Sequence, residues 1–211
     1  MKEILSDVAA AIEREKVLLS DLDSHIGDGD HGVGMANGFR IGVEELASVE
    51  TGSIEEFLRT IGNALIRDVG GVSGIIFGSV FLGMARQASG KVEVGTAELS
   101  EMLAAGLELA QKRGKAIPGD KTMIDALHPA VETLKANSDS SLSDALASAA
   151  AAARTGAEKT KDFIGKHGRA KYFREKSIGF QDAGATSVAV IVEAMAESVK
   201  RLEANSLANQ S

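Results

Sequence analysis

Apolar residues recur at three- and four-residue spacing along most of the chain, a pattern that is typical of amphipathic helices. The last such segment shows this spacing well, since Val188, Ile191, Val192, Met195 and Val199 fall on one helical face. No segment alternates apolar and polar residues over the length of a strand, so the pattern predicts an all-α protein. Eight helices are predicted, roughly over residues 2–22, 31–48, 53–68, 72–88, 97–114, 122–136, 141–163 and 184–205.

Long helices joined by short connections run antiparallel to their neighbours. No linker or internal repeat divides the sequence, so we expect residues 1–211 to form a single domain, an antiparallel helical bundle. Ser53 is predicted to cap the third helix and one of residues 138–141 to cap the seventh. Asp120 is a candidate cap for the sixth helix. Residues 165–183 are the longest stretch without helical periodicity, which is typical of a functional or a disordered loop.

The residues that carry the most chemical information lie between positions 23 and 38, where Asp23, Asp28 and Asp30 are interleaved with glycines. Carboxylates this close repel one another unless a cation lies among them, and Mg²⁺ takes oxygen ligands together with substrate phosphates. Glycines allow backbone N–H groups to approach those phosphates. The cluster therefore predicts a Mg²⁺–polyphosphate site, with His31 able to bond a phosphate or a ribose. The alternative is a polar turn that caps the second helix.

Other kinds of site fit this segment less well. An EF-hand is excluded, because position 12 of a loop counted from Asp28 falls on Phe39 rather than on a glutamate. Zinc is disfavoured, because the chain has no cysteine and only His25 and His31 lie nearby. The glycines of residues 27–32 match a dinucleotide fingerprint formally, but a helix precedes them where that fingerprint requires a strand.

Three further segments are candidate anion-binding sites. Residues 70–74 lead into a helix whose N–H groups and Ser73 hydroxyl favour an anion, although Ser73 is equally an ordinary helix cap. Residues 114–122 narrowly miss the Walker A spacing and follow no strand, so they are not assigned as a P-loop. Arg169 can contact phosphate oxygens, and Gly184 begins the last helix, whose N-terminus can face an anion.

The composition narrows the choice of function. The net charge of −7 and the aromatic content of 4% disfavour nucleic-acid binding, which uses basic patches and stacking rings. The absence of cysteine excludes disulfides and thiolate nucleophiles. No signal peptide or membrane span is predicted, so we expect a cytoplasmic protein without a membrane partner. No evident nucleophile is present, which suits phosphoryl transfer through positioning and metal ions.

Together and in order, these motifs resemble the nucleotide-binding L subunit of dihydroxyacetone kinases, the DhaL family. The matching segments span nearly the whole chain. They are LD at 22–23, IGDGDHG at 26–32, GF at 38–39, GGVSG at 70–74, FG at 77–78, RGK at 113–115, PGDKTM at 118–123, GRA at 168–170, SIG at 177–179, QD at 181–182 and GATS at 184–187. One such motif is weak evidence, but this many in the family order are specific.

The resemblance implies an eight-helix barrel with ADP or ATP bound at one end. It implies two Mg²⁺ ions held by Asp23, Asp28 and Asp30, with Arg169 acting on the phosphates during transfer. The nucleotide would be lined by His31, Gly32, Val33, Gly34, Val72, Ser73, Gly114, Met123, Arg169, Asp182, Ala183 and Gly184. Met123 would provide an apolar contact for adenine.

The resemblance also implies a partner, a K subunit that holds the ketose, so that this chain would be half of an enzyme. The phosphoryl donor is either exchanging ATP or a phosphotransferase-system protein that rephosphorylates bound ADP. The chain departs from the family pattern at Gly34, where some relatives carry Asn, and at Phe180 and Ala183, which replace His and Pro. These departures leave a tetrulose such as erythrulose open as the substrate. A homodimer, a nucleotide-sensing module and a metal-dependent phosphohydrolase also stay open.

Overall fold

The computed structural model describes residues 1–49 and 53–208, which form eight α-helices and three short 3₁₀ helices, with no strand in those ranges. The α-helices are α1 (Lys2–Ile26), α2 (His31–Leu46), α3 (Ile54–Asp68), α4 (Gly71–Gln87), α5 (Thr96–Gly114), α6 (Ile124–Ala136), α7 (Leu142–Lys159) and α8 (Ala183–Ala208). The 3₁₀ helices all lie between α7 and α8, at Thr160–Asp162, Ala170–Tyr172 and Arg174–Ser177. The predicted all-α class is confirmed.

Several helix ends differ from the prediction, three of them near the loops described below. α1 continues to Ile26, beyond its predicted end at residue 22, and so carries Asp23 in its last turn. α6 begins at Ile124 instead of residue 122, because residues 120–123 form a turn. The last turn predicted for the seventh helix is a separate 3₁₀ helix, Thr160–Asp162.

Two of the predicted N-caps are present. The Ser53 hydroxyl accepts a hydrogen bond from the Glu56 N–H at 3.3 Å, which fixes the start of α3. The Ser141 hydroxyl accepts from the Asp144 N–H at 3.2 Å at the start of α7. Each bond satisfies a backbone donor that the helix itself leaves without an acceptor.

The helices form a closed ring. Each helix packs against the next one along the chain, and α8 closes the ring by packing against α1. The interior is filled by apolar side chains from the inward faces, including the fully buried Leu19, Phe39, Ile61, Met102 and Leu146. Burying such a side chain contributes about 1.5–3 kcal/mol, so this core supplies much of the stability of the ring.

The alanine-rich α7 approaches its neighbour closely. Its inward residues Ala145, Ala149, Ala153 and Ala157 are fully buried. At Gly156, a Cβ atom would lie only 2.1 Å from the backbone oxygen of Asp125 on α6, so any side chain at this position would push the two helices apart. Small residues thus set the spacing between α6 and α7.

Four of the connections meet at one end of the barrel, because successive helices alternate in direction. They are residues 27–30, residues 69–70, residues 115–123 (the anchor loop) and residues 160–182 (the Arg169 loop). The Arg169 loop is organised by its three 3₁₀ helices and is not a structureless segment. None of the described helices is both long and apolar enough to cross a membrane.

Candidate functional site

The four connections enclose a cleft of about 530 Å³ at this end of the barrel. Asp28 contributes from the first connection, Gly70 from the second, Met123 from the anchor loop and Arg169 from the Arg169 loop. Ligand pockets for small molecules commonly have volumes of about 300–1,000 Å³, so the cleft has the size needed for a nucleotide.

A cluster of three carboxylates lies at the mouth of the cleft. One oxygen of each of Asp23, Asp28 and Asp30 lies within 4.8 Å of the others. Asp23 projects from the last turn of α1, and its Oδ2 accepts a hydrogen bond from the Gly29 N–H at 2.8 Å. The structure therefore brings together the three residues that the sequence predicts as metal ligands.

Gly27 allows Asp23 to take this position. A Cβ atom on residue 27 would lie 2.2 Å from the Asp23 Oδ1 and 2.7 Å from its Cγ, distances that real atoms do not tolerate. The chain can then turn at Gly29, whose φ of 77° is in the left-handed region that favours glycine. The two glycines thus fold the carboxylates toward one another.

The negative charges of the three carboxylates repel one another, and Arg169 partly offsets this repulsion at Asp30. Burial raises the pKa of Asp30, and the neighbouring Asp28 and Asp23 carboxylates raise it further, whereas the Arg169 guanidinium lowers it. Three oxygen donors without a nitrogen or sulfur ligand among them form a hard donor set, which fits Mg²⁺ or a similar divalent cation. A cation there would relieve the repulsion that the fold imposes.

His25, one of the two histidines near the cluster in the sequence, is engaged elsewhere. Its Nδ1 lies 2.8 Å from the backbone oxygen of Asp21, and its ring stacks on Phe180 with the ring centroids 4.8 Å apart. Phe180, one of the positions that departs from the family pattern, therefore joins the end of α1 to the Arg169 loop. Ala183, the other departure near this loop, is buried at the start of α8.

Arg169 forms an ion pair with Asp28, so the guanidinium lies at the carboxylate cluster. It directly precedes the 3₁₀ helix Ala170–Tyr172, and its side chain is 65% exposed. A planar guanidinium at this place can donate two parallel hydrogen bonds to phosphate oxygens. The structure thus brings Arg169 to the carboxylate cluster.

His31 is the first residue of α2, and its ring is buried beside the cleft. The Nε2 atom lies 2.8 Å from the Ser187 hydroxyl of α8. Burial lowers the pKa of His31 to about 4, so the ring is neutral at pH 7. No spacing rule indicates Ser187 as the partner of His31, because the two residues are 156 positions apart.

Seven of the other predicted nucleotide-binding residues line the cleft. They are Val72, Ser73, Gly114, Met123, Asp182, Ala183 and Gly184. α4 begins at Gly71 with Gly70 as its N-cap, so Ser73 is the third residue of the helix and not its cap. Helix N-termini favour anions, which places α4 and α8 suitably for phosphate groups.

Three predicted residues, Gly32, Val33 and Gly34, are not among those that line the cleft. A Cβ atom on Gly32 would lie 2.1 Å from the Lys16 backbone oxygen of α1, and one on Gly34 would lie 2.6 Å from the Val69 backbone oxygen. These glycines allow α2 to pack closely against its neighbours, and Val33 is exposed on the outer face.

The expectation that Asp120 caps α6 is wrong. Its carboxylate accepts hydrogen bonds from the Ile117 N–H at 2.9 Å, from the Lys166 Nζ at 2.7 Å and from the His167 Nε2 at 3.0 Å. α6 has Met123 as its N-cap and no side-chain cap, and Asp125 in its first turn accepts from the Thr122 N–H of the anchor loop at 2.8 Å. Asp120 instead connects the anchor loop to the Arg169 loop.

Asp182 closes the inner wall of the cleft. Its Oδ2 accepts a hydrogen bond from the Ala185 N–H at 2.7 Å, at the start of α8. Burial raises the pKa of Asp182 to about 7, with Asp125 adding to the shift, while this hydrogen bond and Lys121 oppose it. Its charge therefore depends on pH close to neutrality.

Comparison with known proteins identifies the family of this chain. The family model described as the DAK2 domain matches residues 25–197. The chain is 39% identical over 188 residues to the ADP-binding subunit DhaL of the PEP-dependent dihydroxyacetone kinase of Escherichia coli K12, which covers 88% of this chain and 90% of the relative. It is 33% identical over 201 residues to the L-erythrulose 1-kinase of Mycolicibacterium smegmatis, and the matched part is 94% of this chain but 35% of that protein.

A solved structure has the same fold. The dihydroxyacetone kinase of C. freundii in complex with AMP-PNP and Mg²⁺ superposes with a TM-score of 0.74 and 29% identity, over 93% of this chain and 33% of that one. Because the family model covers most of the chain and the E. coli subunit matches along nearly its whole length, this chain belongs to the DAK2-domain family, which it shares with the DhaL subunits of dihydroxyacetone kinases.

Proposed function

We propose that this chain binds a Mg²⁺–adenine nucleotide and transfers its phosphoryl group to a hydroxyl of a small ketose, which a separate K subunit holds. The observation that carries the proposal is the convergence of three carboxylates and Arg169 at the mouth of one nucleotide-sized cleft. The E. coli relative is an ADP-binding subunit of a dihydroxyacetone kinase, which supports dihydroxyacetone as the ketose.

Asp23, Asp28 and Asp30 would hold the metal, and we propose two ions there, because three carboxylates exceed what one Mg²⁺ with several waters requires. Mg²⁺ held by these residues would neutralise phosphate charge as the phosphoryl group is transferred. The C. freundii kinase, whose complex contains AMP-PNP and Mg²⁺, supports this pairing of metal and nucleotide.

The cleft has two chemically different ends. Its inner part includes the apolar side chains of Ile76, Ala110, Ala116 and Met123, which suit the faces of a purine ring. The mouth contains the carboxylates, Arg169 and the N-terminus of α4. A nucleotide would therefore bind with its base inward and its phosphates at the mouth, where Arg169 stabilises the charge on the transferred group.

The base that accepts the ketose proton is expected from the partner. Among the described histidine and carboxylate side chains of the cleft outside the metal cluster, His31 is bonded to Ser187, His167 to Asp120, and Asp182 to the start of α8. Each of these titratable side chains is already committed within the fold. A partner subunit that supplies the base also explains why the sequence contains no evident substrate-activating group.

The surface around the mouth suits a partner. Val72 and Tyr172 line the cleft yet are 62% and 76% exposed, and Ile117 in the anchor loop is 59% exposed. Exposed apolar side chains grouped around a site commonly mark an interaction surface. These side chains would be covered when the K subunit brings the ketose to the phosphates.

Two versions differ in how the nucleotide is used. In the first, ADP stays bound as a coenzyme and a phosphotransferase-system protein rephosphorylates it; the PEP-dependent E. coli relative supports this version. In the second, ATP exchanges at each turnover. The similarity to L-erythrulose 1-kinase supports a tetrulose as the alternative substrate.

The test combines the purified chain with a ketose-binding K subunit from the same organism, dihydroxyacetone or erythrulose, Mg²⁺ and a donor. We expect ketose phosphate to form only when both subunits are present. Release of phosphate by this chain alone would instead indicate a phosphohydrolase. A nucleotide-dependent complex of the two subunits without ketose phosphate would indicate a sensing module.

A further inference from the structure

Lys121 in the anchor loop is the most deeply buried charged side chain of the cleft wall, with 1% of its surface exposed. No ion pair joins it to a carboxylate within residues 1–49 and 53–208. Its ammonium instead donates hydrogen bonds to two backbone oxygens, those of Thr160 and Phe180, each at 2.5 Å. These two residues lie at opposite ends of the Arg169 loop.

The backbone at Lys121 is in an unusual conformation. Its φ of 60° lies in the left-handed region, which residues with a Cβ atom adopt rarely. The nearby Gly119 has a φ of 93° and takes up part of the same turn. Glycine adopts this backbone conformation at a lower energetic cost than lysine. A lysine here therefore points to a role for its side chain.

Asp120, next to Lys121 in the anchor loop, forms a second set of hydrogen bonds to the Arg169 loop. Besides the bonds from the Lys166 Nζ and the His167 Nε2 to its carboxylate, its backbone oxygen accepts from the Lys166 N–H at 3.2 Å. Lys166 and His167 lie just before Arg169 in the chain. The loop is therefore held at both of its ends by Lys121, and near Arg169 by Asp120.

Arg169 follows two residues after His167, which is bonded to Asp120. Its own side chain is largely exposed and pairs with Asp28, a carboxylate that would also hold the metal. Gly168, directly before it, has a φ of 55°, and a Cβ atom on that residue would meet no other atom within 4 Å, whereas Ala170, directly after it, is buried. Bonds within the loop also hold this segment, such as the Gly165 N–H to the Ser177 hydroxyl at 2.9 Å and the Gly179 N–H to the Lys161 oxygen at 2.8 Å. The bonds from the anchor loop add to these at both loop ends and just before Arg169.

We propose that Lys121 is a positioning residue for phosphoryl transfer, whose ammonium ties the two ends of the Arg169 loop together and thereby holds the Arg169 guanidinium at the phosphates. This inference rests on the proposed function and extends it to a residue that touches neither the metal nor the carboxylate cluster. Because two of its three ammonium protons are engaged by loop oxygens, Lys121 contributes to the rate of transfer and little to nucleotide affinity.

The test uses Lys121→Met, which nearly keeps the length of the side chain and removes the ammonium, with Lys135→Met as the matched control. Lys135 is an exposed lysine on α6 that pairs with Glu132. With the K subunit present, we expect Lys121→Met to lower kcat about 10²-fold, as a misplacement of about 1 Å can do. The dissociation constant of Mg²⁺–ADP, measured by calorimetry on the chain alone, should change less than about threefold, and the control should change neither quantity.

The double variant Lys121→Met/Arg169→Ala separates positioning from a general structural role. If Lys121 acts through Arg169, the double variant is no slower than Arg169→Ala alone, because the two effects are not additive. Multiplicative losses would overturn the proposal. A loss of Mg²⁺–ADP affinity in Lys121→Met would also overturn it, by indicating direct contact with the phosphates.

A second variant covers the case in which Lys121→Met does not fold. Lys166→Met removes an exposed side chain from the Asp120 attachment, so folding should be unaffected. We expect a smaller loss of kcat and faster hydrogen exchange at the amides of the loop, among them Gly179, whose N–H is bonded to the Lys161 oxygen at 2.8 Å. Normal kcat and normal exchange would contradict the premise that bonds from the anchor loop hold Arg169 in place, on which the role of Lys121 depends. If the wild-type chain with its K subunit transfers no phosphoryl group, the proposed function itself fails, whereas active wild type with unaffected variants refutes only the positioning role.

Discussion

Replacing Gly27 with alanine should disable the metal site without changing any charged residue. The new Cβ atom would lie 2.2 Å from the Asp23 Oδ1 and 2.8 Å from the Asp23 backbone oxygen, both too close for any contact. Residue 27 would have to shift slightly from the Asp23 backbone oxygen, and the Asp23 side chain would have to rotate away. It would leave the Gly29 N–H, from which it accepts a hydrogen bond at 2.8 Å.

Two consequences of this change can be measured. Loss of a hydrogen bond to a charged acceptor costs about 1.5–3 kcal/mol, so the free energy of unfolding in urea should fall by about 2 kcal/mol. Disturbing the groups that orient a metal ligand costs about 10- to 100-fold in metal affinity, and here the ligand itself is displaced. Calorimetric titration should show Mg²⁺-dependent ADP binding weakened at least about tenfold.

The matched control is Gly95→Ala, at the N-cap of α5. There a Cβ atom would meet only the Glu98 Oε2, at 3.0 Å and at the end of a flexible side chain. We expect a stability loss of about 1 kcal/mol or less and unchanged nucleotide binding. If Gly27→Ala binds Mg²⁺ and ADP as tightly as the wild-type chain, the reasoning about Asp23 is refuted.

Three further outcomes are expected. Arg169→Ala should slow transfer by about 10³-fold or more while Mg²⁺–ADP affinity stays within a few-fold; unchanged turnover with the K subunit would remove Arg169 from the site. Ser187→Ala should lower the free energy of unfolding by about 1–3 kcal/mol, because the Nε2 of buried His31 loses its partner; an unchanged urea midpoint would contradict this. The pKa of Asp182 is raised from its ordinary value of 3.8 to about 7, so between these pH values the folded protein keeps a proton on Asp182 that the unfolded chain has lost. The free energy of unfolding of the wild type should therefore fall as pH rises through this range, relative to that of Asp182→Asn. Parallel stability profiles of the two proteins would refute the assignment.

The sequence predicts the helices and the carboxylate cluster because both depend on local patterns. Helical periodicity fixes the eight segments, and the spacing of Asp23, Asp28 and Asp30 is short enough for one turn to bring them together. The predicted end of α1 is wrong, because a run of aspartates and glycines favours a loop from its first residue onward. In the structure Asp23 belongs to the helix, and Gly27 ends it.

The contacts that join distant segments could not be predicted in this way. The bond between His31 and Ser187 and the bonds from Lys121 to the Arg169 loop connect positions 39 or more residues apart. Nothing in a local pattern distinguishes Asp120 as a helix cap from Asp120 as a loop attachment. The same limit applies to Gly34, whose closeness to Val69 depends on how α2 packs against the end of α3.

Native mass spectrometry, after dialysis of the chain into Mg²⁺ buffer and addition of nucleotide, tests the metal–nucleotide site most directly, with Asp28→Asn as the comparison. The wild-type chain should carry the mass of one adenine nucleotide with two Mg²⁺ ions, and Asp28→Asn, with equal helicity, should carry neither. If the chain retains ADP through dialysis, the version in which ADP is a bound coenzyme is supported. If it takes up nucleotide only when ATP is added, the version in which ATP exchanges at each turnover is supported. A wild-type chain that takes up no nucleotide, or an Asp28→Asn chain that retains nucleotide and metal as the wild type does, would contradict the assignment of the carboxylate cluster.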